Sequence, residues 1–183
     1  MSIQSPAILN QIAVSNNIRR LWVDNAQWIR ALIYSVFYNI GDEGAILARL
    51  EKTADDFGTF FAQYYGEDRG RQVRENYMEY VREVAEMIRA YREGNEALVS
   101  DEREAIYDTA DQMASLLARV NRFWDEPTMQ MLLYALANAT ENEIGSVASG
   151  DYAREIAVHD EFMEQSYHLS DELTLGILRQ FRL

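Results

Sequence analysis

The sequence predicts an all-α fold: an antiparallel up-down bundle of four to six helices, ferritin-like in general architecture, in one domain over residues 1–183. Three observations predict it. Apolar side chains recur at steps of three and four along most of the chain, the spacing that gathers them on one side of a helix. Glycine or asparagine stands where such runs stop, and Pro6 and Pro127 are the only prolines. Strand-like alternation never extends beyond a few residues, so no sheet is expected. A chain of this length buries a single core, and 48% hydrophobic content is far too high for a disordered chain.

Residues 1–15 are expected to form an irregular N-terminal segment. Asn16 or Asn17 then caps a first helix running to Ile40, where Gly41 supplies a left-handed stop. A short helix over residues 42–51, a break at Thr53 and a second short helix from Ala54 to Tyr65 follow; they read as connectors or lids, and Gly66 ends them. From Arg71 to Tyr91 the stripe Val73, Tyr77, Tyr80, Val84, Met87, Tyr91 alternates steps of four and three, the most regular pattern in the chain. Gly94 and Asn95 close it. The fourth helix opens at Ser100 or Asp101, where acids meet the positive end of the helix dipole, carries Ile106, Ala110, Met113, Leu117 and Val120, and ends at Asn121. Asp125, Glu126 and Pro127 start the fifth, with proline in the first turn, where its missing N–H does no harm. That helix runs to Ser149. Gly150 and Asp151 separate it from the last, whose stripe is Tyr152, Ile156, Phe162, Leu169, Leu173, Ile177 and Phe181.

Composition removes several classes of function. Cysteine is absent, which excludes disulfides, thiolate nucleophiles, iron–sulfur clusters and cysteine zinc sites. The segment Met1–Asn10 lacks the basic start and apolar run of a secretory signal, so a cytoplasmic protein is expected. The most apolar window, Ala31–Ile40, falls short of the roughly 20 residues a membrane span needs. A net charge of −13 with scattered arginines opposes binding to phosphate backbones, so no nucleic acid partner is expected. The expected partner is another protein or a second copy of the chain.

Helical bundles commonly bind metal between inward carboxylates and histidines. The di-iron pattern needs Glu-x-x-His on two helices, yet Ile156 and Gln165 stand three residues before His159 and His168. No HExxH, phosphate loop or GxSxG elbow is present, and no catalytic residue is marked. Polar residues nonetheless fall on apolar stripes: Asn25 among Leu21, Trp28 and Leu32, and Glu143 after Met129, Leu133, Leu136 and Thr140. Both should face inward. Across a hairpin turning at Gly150, His159 stands level with Glu143, which predicts a Glu143–His159 contact. One reading is a divalent metal site for iron, zinc or manganese built from Glu143, His159, Asp160 and Asn25. The other is a buried polar pair that satisfies its own hydrogen bonds and holds helix register. Trp22, Trp28, Trp124, Tyr77, Tyr80 and Tyr91 are core, or the lining of an apolar pocket.

Leu21-Trp22 with Trp28-Ile29-Arg30, Tyr64-Tyr65-Gly66, Ala110-Asp111, Thr140-Glu141-Asn142-Glu143 and the tail from Gly176 to Phe181 together resemble a family of small helical proteins of spore-forming bacteria. That family shows LWxxHxxWTR early, TxxE in the fifth helix and TEGIIKQF at the end. The resemblance spans nearly the whole chain and implies an all-helical fold. It implies inward histidines at the positions here held by Asn25, Tyr80 and Leu136, with Glu143 and Asp160 matching, and so a metal or cofactor site in the relatives. This sequence departs from the pattern at each of those histidines, and His159, where relatives have an aromatic, is the compensating donor. The function expected is that of a non-enzymatic interaction or assembly protein. The alternatives are a metal-binding ferritin-like protein and a carrier of a small apolar ligand.

Overall fold

The computed structural model describes residues 6–183, with side chains from Ile8 onward apart from that of Leu9. Six helices make up the described chain: α1 (Pro6–Tyr38), α2 (Glu43–Tyr65), α3 (Glu67–Glu93), α4 (Glu96–Val120), α5 (Glu126–Ala148) and α6 (Tyr152–Phe181). Local chemistry sets several of their ends. Asn95, Asp125 and Asp151 each accept a hydrogen bond from a backbone N–H in the first turn of α4, α5 and α6, satisfying donors that a helix start leaves unpaired. Gly94, at φ 69°, adopts the left-handed conformation that closes α3.

Each helix packs against its neighbours in sequence, and α1 closes the ring against α6. The pairings are antiparallel. Arg49 reaches Asp24 between α1 and α2, Gln130 and Tyr134 reach Asp111 between α5 and α4, and Arg19 and Arg30 of α1 reach Asp171 and Glu155 of α6. The core sits inside this ring, and Val84 and Leu117 of the two most regular stripes are 0% and 2% exposed. No helix among the described residues is long and apolar enough to cross a membrane.

Several boundaries differ from the sequence expectation. Helix α1 begins at Pro6, ten residues ahead of Asn16, because Val14 and Ile18 extend its buried stripe and Gln11 bonds the carbonyl of Leu183. Residues 1–5 of the expected irregular segment lie outside the described residues. There is no break at Thr53: its hydroxyl bonds the carbonyl of Arg49 one turn back and accepts from the Arg49 guanidinium, so this β-branched residue sits satisfied within one 23-residue helix. Nor is α2 a lid, since Phe57, Phe60 and Phe61 are in the core. Helix α4 opens at Glu96, capped by Asn95, instead of at Ser100 or Asp101. In α6 the stripe is rotated at its start: Tyr152 and Ile156 are exposed, and Glu155 and Val158 face inward.

Candidate functional site

The turn at Gly150 folds α6 back along α5 and sets His159 opposite Glu143, as their spacing predicts. His159 Nδ1 lies 2.9 Å from Glu143 Oε1, and the Glu143 side chain is 0% exposed. One turn before His159, on the same side of α6, stands Glu155, also buried. Arg30 of α1 meets it with two parallel bonds, Nε to Oε1 at 2.6 Å and Nη2 to Oε2 at 2.9 Å. Arg30 Nε also lies 3.7 Å from Glu143 Oε1, so a single guanidinium serves both acids.

Two fully buried carboxylates in one core are uncommon, because an ion removed from water must be matched by charge and hydrogen bonds. Glu155 is matched by the bidentate guanidinium, the strongest geometry for such a pair. Glu143 is matched only on one oxygen, and its Oε2 is buried without a partner. Burial pushes the Glu143 carboxyl above the usual carboxylate range, against the opposing pull of His159. Hydrogen bonding to Glu155 raises Arg30 in turn. On the solvent side, Gln27, Arg30, Ala31, Tyr34 and His159 line an open cleft of about 630 Å³ between α1 and α6.

A consequence for stability follows from the raised Glu143. A carboxyl that holds its proton more tightly in the folded chain than in the unfolded one contributes full stability below its ordinary value and loses it as pH rises through the folded value. Glu143→Gln is therefore expected to unfold at higher urea than the native chain at pH 8, with the gap closing as pH falls toward the usual carboxylate range. A variant that is the weaker of the two at pH 8 would show that ionised Glu143 stabilises the fold.

The other sequence-predicted ligands lie apart. Asn25 is buried, but its Oδ1 accepts from the Tyr77 hydroxyl at 2.9 Å. Nearby, Tyr80 and Thr140 share a hydrogen bond of 3.0 Å, and burial pushes the Tyr80 phenol up to about 12. Asp160 is exposed on the outside of α6. The four residues thus occupy three places, with only Glu143 and His159 together. Among the described residues no three histidine, aspartate or glutamate side chains are grouped to hold a metal ion. The aromatic-lined interior leaves a cavity of about 50 Å³ bordered by Trp22, Tyr77, Tyr80 and Leu136, whereas ligand pockets start near roughly 300 Å³.

Sequence reasoning missed Glu155 and Arg30. Glu155 had a usable signal: reading the α6 stripe backward through Leu173, Leu169, Phe162 and Val158 lands on Glu155, not on Ile156. Arg30 had none, since its partner is 125 positions away. No protein-family model, curated protein or solved structure matches this chain, and the functional reading rests on its geometry alone.

Proposed function

We propose that this protein is a non-enzymatic interaction protein whose α1–α6 face docks a basic amphipathic segment of a partner. One observation carries the reading. Of the ten large apolar side chains exposed among the described residues, all but Met131 lie on α1, on α6 or in the turn after α1. These two helices are neighbours joined along their length by Gln11–Leu183, Arg19–Asp171, Arg30–Glu155 and Tyr38–Tyr152 contacts. Ile8 and Ile12 stand one turn apart on α1 and Tyr152 and Ile156 one turn apart on α6, while Phe181 leans onto Tyr64 and Tyr65 of α2 and Tyr167 lies beneath the Arg19 guanidinium. The spaced pairs are anchor points of the kind that amphipathic helices use. Exposed Asp160, Glu161 and Glu164 on α6, within a chain of net charge −13, favour a basic occupant over a second acidic copy.

Fluorescence anisotropy with a labelled leucine/lysine amphipathic peptide, and with its leucine/glutamate counterpart, tests the proposal. The basic peptide is expected to bind and the acidic one not. Tyr152→Ser with Ile156→Ser should weaken binding by about tenfold, the loss of one anchor-sized contribution, while Met131→Ser on α5 leaves it unchanged. Binding that ignores the double substitution would reduce the interaction to unspecific charge attraction and remove the reading. A homo-oligomer seen by light scattering and dissolved by the same substitution would give the face to a second copy instead.

A further inference from the structure

Tyr38 is the last residue of α1 and Tyr152 the first of α6. Because these helices run antiparallel, the two meet across 114 positions of chain, their hydroxyl oxygens 2.5 Å apart. Each residue is 48% exposed, so solutes reach both rings. A phenol that loses an electron and a proton carries much of its unpaired spin on the ring carbon ortho to the oxygen, Cε. That carbon is two bonds from the oxygen, so oxygens in contact put one Cε of each ring within reach of the other after a ring rotation. In a biphenol joined Cε to Cε the two oxygens flank the new bond and hydrogen-bond each other. The folded chain already holds them in that relation. The hydrogen bond to Tyr152 also pushes the Tyr38 phenol up to about 12, so at neutral pH its oxidation releases a proton with the electron.

We propose that Tyr38 and Tyr152 are an oxidative modification site, coupled into an intramolecular dityrosine by a one-electron oxidant of the peroxidase and hydrogen peroxide class. Each phenol gives up one electron and one proton, and the two phenoxyl radicals join Cε to Cε. The hydrogens on those carbons then move to the oxygens as the rings regain aromaticity. One hydrogen peroxide takes the two electrons and two protons and leaves as two waters. Other tyrosines are placed less well. Tyr107 and Tyr134 meet edge to face at 81°, and Tyr134 gives its hydroxyl to Asp111. Tyr77 is buried and donates to Asn25. Tyr167, the third exposed tyrosine among the described residues, lies beneath the Arg19 guanidinium, roughly 22 Å along α6 from Tyr152. The cross-link ties the end of α1 to the start of α6, restricting the unfolded chain as a disulfide closing a long loop does. It does not depend on the docking reading.

Dilute protein treated with peroxidase and hydrogen peroxide, then separated by size, tests the assignment. The monomer fraction is expected to show dityrosine fluorescence, proteolytic fragments joined at Tyr38 and Tyr152 with two hydrogens lost, and a higher urea midpoint than the untreated chain. Photolysed ruthenium tris-bipyridyl with persulfate, a small one-electron oxidant, should form the same link. Tyr38→Phe and Tyr152→Phe should each cut the monomer signal at least tenfold, and Tyr34→Phe, whose ring lies 5.8 Å from that of Tyr38, should leave it. Circular dichroism checks that these variants fold. The assignment is overturned if neither oxidant yields dityrosine, if dityrosine is confined to dimers, if the monomer link joins other tyrosines, or if the signal persists in Tyr38→Phe.

Discussion

Arg30→Met is expected to lower the free energy of unfolding by about 3 kcal/mol, the low end of what stranding a buried charge costs. The low end applies because Arg30 itself is 35% exposed, so water replaces part of the lost interaction. Its partners have no such relief: Glu155 and Glu143 are 1% and 0% exposed, and the substitution removes their permanent cation. Glu143, already raised by burial, would lose the opposing pull of Arg30 and hold its proton more tightly still. The loss should accordingly be largest at high pH and shrink on acidification. Urea unfolding of Arg30→Met, Glu155→Gln and the double variant measures it. The double variant should recover much of the loss, because no stranded charge remains at position 155. A single-variant loss below about 1 kcal/mol, the scale of an exposed ion pair, would mean that the bidentate contact contributes no more than a surface one.

Gly176→Ala should be the second severe substitution, and its sign is the informative part. In an exposed helix, replacing glycine by alanine stabilises by about 1 kcal/mol. At position 176 an added Cβ would stand 2.7 Å from Trp124 Cε2 and closer still to Nε1 and Cδ1. The indole has little room to retreat. It is 2% exposed, its ring centroid lies 5.6 Å from that of Tyr65 and 6.2 Å from that of Phe61, and Nε1 bonds the carbonyl of Glu172 at 3.3 Å. Either the ring leaves this cluster or α6 shifts outward, and overpacking of that kind costs about 2–3 kcal/mol. Thermal unfolding followed by tryptophan fluorescence should show both the loss and an altered emission. A stabilised variant would mean that α6 is not held against the indole.

Part of the candidate site was legible because it depends on short-range geometry. Glu143 and His159 lie 16 positions apart across one tight turn, so helical periodicity and turn position place them opposite each other with little freedom. Asp160 illustrates the limit of that reasoning. One position past His159 on a helix is a rotation of about 100°, which carries Asp160 from the cleft side to the solvent. Asn25 does face inward as its stripe requires, yet a stripe does not say which neighbour it will meet, and that neighbour is Tyr77.

The sequence by itself determined the helical class, the cores of α3 and α4, and the capped starts at Asp125 and Asp151, because spacing and capping act within a turn or two of the residues concerned. Tertiary structure alone decided that α2 runs unbroken through Thr53, that Tyr152 and Ile156 stay in water while Glu155 turns inward, and that Arg30 bridges to α6. The reason is physical. Which side of a helix is buried at its end depends on what the neighbouring helix presents there, and α1 presents a guanidinium. A charge can enter a core only where its counter-charge arrives by packing, and no local pattern encodes the meeting of residues 30 and 155.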